Sequence, residues 1–371
     1  VRVTRSSRCT RHAFTLAELG VSIVAVGALV AVSLPTLGHA RGIDRTEESQ
    51  AKMRALGTAS AQYGADNADA IFSFSTSDNA AKSELLDTMS LLTGRPTEGG
   101  EPHVLRRLDN VTPRRRYSHV LLFQYLDARL PEPLAASPFD RNLLGWQQDP
   151  IYAQDNTVPY AKSNGESGSD RSENWTNTDV RQMWPYGSSY QVSTSAWNVN
   201  NSSEGNPWSP IDSTPNLFNV GAAAKRAYAE VAFPAGKVHM FEEFDGLWHK
   251  EALWFAYPEA RCNLLFFDGS VRRLLSRDSN PGWNPRQPNS LWEQRYYPFD
   301  TFPWYHPSYA SRTEFKMRYR WTREGLGGID YGGREVNVPP AVRDHPDYRT
   351  EPEERFGPRY KEQNASPIDE P

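Results

Sequence analysis

Residues 11–35 read RHAFTLAELGVSIVAVGALVAVSLP and open the longest apolar run of the chain. Arg11 closes a short basic leader that also holds Arg2, Arg5 and Arg8 and no acid. From Phe14 to Leu37 the 24 residues carry a single charge, Glu18. A helix of that length is enough to cross a hydrocarbon core of about 30 Å. The leader arginines favour a cytoplasmic N-terminus, so the bulk of the chain is expected to be exported. No other apolar run is as long, which predicts a single span. A carboxylate in a span costs about 2.5–3.5 kcal/mol at the helix centre and less towards an end. Glu18 stands near the start of the run, and a residue retained at that cost is expected to have a task. Pro35 falls late in the span, where it removes a helical hydrogen bond and kinks or locally opens the helix.

Three readings of this stretch are open on the residues alone. One is a plain membrane anchor. Another is a secretory signal peptide, for which Gly38-His39-Ala40 offers an A-x-A-like end. The apolar run is long for a signal peptide, and its polar residues, Thr15 and Glu18, open it rather than close it. The third is an assembly helix whose buried carboxylate awaits a partner.

The third reading is supported by a resemblance to a known family. Phe14, Thr15, Leu16, Glu18 and Leu19, followed by an apolar helix and Leu34-Pro35, resemble the leader of type IV prepilins and type II secretion pseudopilins. The resemblance implies cleavage between Ala13 and Phe14 by prepilin peptidase and N-methylation of Phe14. That family usually has glycine before the cut; Ala13 is small enough that slower cleavage is expected rather than none. It also implies that Glu18 serves subunit assembly, pairing with the Phe14 amine of a neighbour. Either charge left alone in an apolar bundle would cost several kcal/mol, so the pair would set register as well as attract.

Arg41 to about Gly64 continues as an amphipathic helix. Met53, Leu56, Ala59, Ser60 and Tyr63 follow helical spacing, and Glu47, Glu48, Lys52 and Arg54 supply the polar side. Gly64-Ala65-Asp66-Asn67 is a stop signal. Beyond it, 83–93 and 118–130 read as helical and 94–102 as a loop. Residues 136–215 lack a helical period and read as loops and short strands, with one strand at 189–199. Residues 154–179 read as a disordered insert. Strand patterns are clearest at 237–244, 253–257, 263–267 and 270–275. Asp268-Gly269 between two apolar runs is a hairpin turn signal. Residues 314–321 alternate apolar and basic residues, which predicts another strand. The tail from Pro339 is rich in charge and proline and reads as extended or disordered.

The stretch NLLFFDGSVR, from Asn263 to Arg272, is similar to the D-G-S-V-R tail of the large prepilin-like families of planctomycetes. Lys237 to Glu243 resembles the acid-ended strand that precedes it there.

Composition narrows the function classes. The 371 residues have a net charge of -4; without residues 1–13, 37 basic residues face 45 acidic ones, which disfavours nucleic-acid binding. Aromatic residues make up 12% and argue for a folded head despite modest aliphatic content. Cys9 lies in the leader and Cys262 in the head, so the processed chain would hold no internal disulfide. There is no nucleophile elbow, phosphate loop or H-E-x-x-H helix. The eight histidines are scattered. Glu242, Glu243 and Asp245 are the densest acidic cluster; Asp268 could approach it across a sheet but is most simply a turn residue. Calcium is one reading of that cluster; acids at strand ends facing water is the favoured one, and no metal or other cofactor is expected. Trp175, Trp184, Trp197 and Trp208 lie in loop-like sequence, which allows exposure and keeps a sugar- or protein-binding surface open as a reading, whereas Trp304 and Trp321 suit a core.

These readings combine into an α+β fold of pilin-like design. The leader would span 1–13, the membrane helix 14–37 and its amphipathic continuation 38–66. The extracytoplasmic head would span 67–338 and the tail 339–371. The expected protein is a non-enzymatic structural subunit of a pilus-like or pseudopilus-like filament. It would sit in the inner membrane with its head periplasmic or extracellular, and its partners would be prepilin peptidase and other pilin-like subunits. The alternative is a single-pass tethered binding protein that presents aromatic loops and does not polymerise.

Overall fold

Helix α1, residues 42–66, forms where the sequence alternates apolar and polar residues at helical spacing. Met53, Leu56, Ala59, Ser49 and Ser60 are buried along one side, and Glu47, Glu48 and Arg54 are exposed on the other. Glu48 and Lys52 pair across one turn at 2.9 Å. Burying Met53 and Leu56 contributes about 1.5–3 kcal/mol each. The helix ends where Ala68 and Asp69 take positive φ, and the Asn67 N–H closes on the Tyr63 carbonyl at 3.0 Å.

The computed structural model describes residues 42–97, 105, 117–149, 186–198, 224–247, 253–282, 316 and 318–344. The expected span 14–37, the 154–179 insert, most of the tail, and Trp175, Trp184, Trp208 and Trp304 lie outside them. Among the described residues no helix is long and apolar enough to cross a membrane.

After α1 come α2 (Asp78–Thr93) and α3 (Arg141–Gln148), then strands β1 (Tyr190–Val192), β2 (Val238–Glu242), β3 (Phe244–Asp245), β4 (Leu253–Trp254), β5 (Arg261–Phe266) and β6 (Val271–Leu275). A short helix, α4 (Pro340–Arg343), follows. The fold is therefore α+β. One antiparallel sheet has the order β1-β2-β5-β6, and β3 pairs with β4 alone.

The sheet has two covered faces. Tyr190, Glu242, Asn263 and Leu265 look towards α1. The approach is close: a Cβ on Gly57 would stand 2.9 Å from Leu265 Cδ1. Phe241 and Phe266 look the other way, onto Phe255, Tyr319 and Tyr331, with ring centroids 4.9–6.0 Å apart. A second core under α2 gathers Phe74, Leu85, Met89, Leu105, Tyr117, Val120 and Leu143.

Asp268-Gly269 turns β5 into β6. Asp268 Oδ1 accepts the Ser270 N–H at 2.8 Å, and Gly269 has φ +82°. A Cβ there would meet nothing within 4 Å, so substitution is opposed by the backbone alone. Gly269→Ala is expected to destabilise the head by about 1 kcal/mol and Gly269→Asn by less, because asparagine tolerates the left-handed region. Urea denaturation of both variants measures this.

Four local expectations are corrected. The 118–130 helix is a 3₁₀ segment over Ser118–Tyr125. That stretch has no polar side, and Ser118, His119, Val120 and Leu122 are all buried. The 136–215 region contains α3, started by Asp140, whose Oδ1 caps the Leu143 N–H at 2.9 Å. The strand expected at 189–199 is only Tyr190–Val192, and the chain then tightens into a 3₁₀ turn over Thr194–Ala196. The strand expected at 314–321 is a 3₁₀ turn over Arg318–Trp321. Arg318 takes φ +52°, and its guanidinium is drawn inward to the carbonyls of Ser276 (2.5 Å) and Ala256 (3.3 Å).

Candidate functional site

The polar centre of the head is the seam between α1 and the sheet. Ser49 lies on the apolar side of α1, one turn before Met53, and meets the end of β2. Its hydroxyl donates to Glu242 Oε1, and Ser137 Oγ donates to the same oxygen at 2.9 Å. Glu242 Oε2 accepts from the Asn263 backbone N–H at 3.2 Å and from Asn263 Nδ2 at 2.9 Å. Tyr190 Oη lies 3.0 Å from Ser49 Oγ, and Gln50 Nε2 donates to Asn263 Oδ1 at 3.2 Å. Lys52 Nζ reaches the Ala136 carbonyl at 3.0 Å. One carboxylate thus joins α1, the loop before α3, β2 and β5.

Glu242 is 3% exposed, and burial pushes its pKa up, opposed by the bonds from Ser49, Ser137 and Asn263. With both oxygens occupied by protein donors, the group fastens one element to another and has no free lone pair aimed at a ligand.

The expected acidic cluster is corrected here. Glu242, Glu243 and Asp245 are all buried, not facing water. Asp245 serves its own knot: it accepts the backbone N–H of Arg261 (2.9 Å) and of Leu247 (3.0 Å) and pairs with Arg273 at 2.8 Å. Asp268 is at the hairpin tip, beyond the opposite end of β2 from Glu242, so it does not approach the cluster. Among the described residues no group of three or more His, Cys, Asp or Glu is placed to hold a metal ion. Trp197 is buried at 1% exposure despite its loop-like sequence, and Trp321 is buried as expected. Ala13, Phe14, Glu18 and Pro35 lie outside the described residues.

A second feature of the seam was not legible as a site. The register of β2 on β5 slips between Val238 and Met240, which leaves His239 as the extra residue of a bulge. The bulge turns His239 towards the α1 side, stacked on Phe267 at 4.2 Å and beside Phe72 and Tyr228. Ser60 on α1 bonds the Tyr228 hydroxyl at the same end. Burial above all lowers the His239 pKa to about 3. The imidazole is therefore neutral in the folded head.

The sign of the resulting pH dependence is fixed. An unfolded histidine takes up a proton near 6.5 and the folded one only near 3, so the unfolded state binds more protons between those values. Stability from this group falls as pH drops from about 6.5 to about 3. His239→Phe, which keeps a ring on Phe267, is expected to flatten that part of the stability curve. Thermal melts of both proteins across the window test it, and parallel slopes would refute it.

Ser49, Ser137 and Asn263 were missed as partners of Glu242. Ser49 had a visible signal, being a polar residue in phase with Met53, Leu56 and Ser60. Ser137 and Asn263 had none, since both are distant from Ser49 in sequence. No protein family model, curated protein or solved structure matches the chain.

Proposed function

We propose that the chain is a structural subunit of a type IV pilus-like or type II secretion pseudopilus-like filament. Prepilin peptidase would cut between Ala13 and Phe14 and methylate Phe14. The apolar helix over 14–37 would hold the subunit in the inner membrane with its head periplasmic or extracellular. It would then pack against other pilin-like subunits, Glu18 against the Phe14 amine of a neighbour.

The observation that carries this reading is α1. It follows the apolar stretch in sequence, and its buried side is fixed to an antiparallel sheet by Met53, Leu56 and the Ser49–Glu242 bond. A subunit pulled through its N-terminal helix needs such a joint, because load on the helix must reach the head without unfolding it. The Asp268-Gly269 hairpin supports the same reading through its likeness to prepilin-like tails.

The test is mass spectrometry of the mature N-terminus from membranes of cells that carry prepilin peptidase. Methylated Phe14 is expected. An unprocessed chain, or one cut after Ala40, would overturn the filament reading in favour of a tethered binder or an exported protein.

A further inference from the structure

Away from the α1 seam, a second buried polar cluster joins β2 to the segment after Arg318. Lys237 immediately precedes β2, and its side chain is fully buried. Its Nζ stands 3.0 Å from Asp330 Oδ2. Thr322 bridges the two: its Oγ1 accepts from Lys237 Nζ and donates to Asp330 Oδ1. The backbone N–H of Val238 donates to Asp330 Oδ2 at 2.8 Å. Thr322 and Asp330 are 3% and 2% exposed, so the cluster is shielded from bulk solvent.

The backbones are clamped around it. The Asp330 and Tyr331 N–H groups both bond the Gly236 carbonyl, at 2.9 and 3.0 Å. The Asn280 N–H bonds the Asp330 carbonyl at 2.8 Å. A Cβ at Gly236 would stand 2.5 Å from the Tyr331 carbonyl oxygen, so the two segments are in direct contact.

We propose that Lys237 and Asp330 form an intramolecular isopeptide bond, the Lys237 amine condensing with the Asp330 carboxyl and releasing one water. The cluster contains the parts such a condensation needs. Lys237 Nζ is the nucleophile, Thr322 is a proton relay between Nζ and Oδ1, and the Val238 N–H marks Oδ2 as the oxygen that bears charge.

The steps balance. One proton passes from the ammonium through Thr322 Oγ1 to Oδ1, leaving a neutral amine and a carboxylic acid. The nitrogen lone pair attacks Cγ, and Oδ2 takes the negative charge against the Val238 N–H. A second proton follows the same path from nitrogen to Oδ1, which leaves as water. The Oδ2 electrons re-form the carbonyl, and the nitrogen keeps one hydrogen as a neutral amide. No oxidant or co-reactant enters.

Three physical factors favour the condensation. Burial lowers the Lys237 pKa against the pull of Asp330, which brings the neutral amine within reach. The amide also replaces a buried ion pair whose desolvation is costly. Fixed contact between the segments supplies the proximity that makes such a step effectively unimolecular. The link would strap the segment from Arg318 onwards to β2, in a head whose single described cysteine, Cys262, is buried and free.

Peptide mapping of the purified full-length chain by tandem mass spectrometry tests this independently of any filament. A branched species is expected, one water lighter than the Lys237 and Asp330 peptides together, with fragments joining the two side chains. Thr322→Val is expected to shift most of the material to the linear pair while the head stays folded by circular dichroism. Should that variant unfold, the wild-type map alone is decisive. Linear peptides only, or a water loss confined to the Asp330-Tyr331 peptide as a cyclic imide, would overturn the proposal.

Discussion

Glu242→Leu is expected to destabilise the head by about 3 kcal/mol or more and to free α1 from the sheet before the rest unfolds. The leucine fills most of the volume but accepts nothing. It strands the Ser49 and Ser137 hydroxyls and both Asn263 donors, which now meet at one carboxylate. A buried donor left without a partner costs about 1–3 kcal/mol, and the serine hydroxyls recover part of this by rotating. Glu242→Gln keeps an acceptor oxygen and is expected to lose much less. Urea midpoints rank the variants, and hydrogen exchange along 46–63 reports whether α1 opens first. A leucine variant as stable as the parent would show that apolar packing alone holds the joint.

The second large effect is on assembly. On the filament reading proposed above, Glu18→Ala is expected to abolish subunit association while leaving membrane insertion and the fold of the head unchanged. Within the proposed filament, the change leaves the neighbour's Phe14 amine as a lone buried charge, at a cost of several kcal/mol per contact. The cost recurs at every subunit, so a modest penalty per interface becomes loss of the polymer. Cross-linking in membranes, read beside a protease-resistance assay of the head, separates lost assembly from lost folding. Undiminished association of the variant would remove the proposed role of Glu18 and favour the tethered binder.

The same residue types were legible to different degrees. The α1 stripe and the Asp268-Gly269 turn could be read directly because each is a local pattern. A helix repeats every 3.6 residues and a tight turn needs one residue with positive φ, so neighbours in sequence carry the signal. Arg318–Trp321 misled for the opposite reason. Alternation of apolar and basic residues means a half-exposed strand only if the basic residues face water, and here Arg318 and Arg320 are both buried. Trp197 shows the same limit: loop-like sequence allows exposure, but this loop is packed against the core.

Local sequence alone specified the apolar stretch with its one carboxylate, the amphipathic α1, the hairpin and the antiparallel class of the sheet. These follow from periodicity and backbone preference, which act within a few residues. Tertiary structure alone decided what the buried polar residues do. Glu242 became a fastener because Ser49, Ser137 and Asn263 converge on it. Lys237 and Asp330 became a candidate bond because the chain returns across 93 residues to bring them 3.0 Å apart. Burial sets the cost of a charge and long-range partners offset it, and neither quantity is a property of neighbouring residues in the sequence.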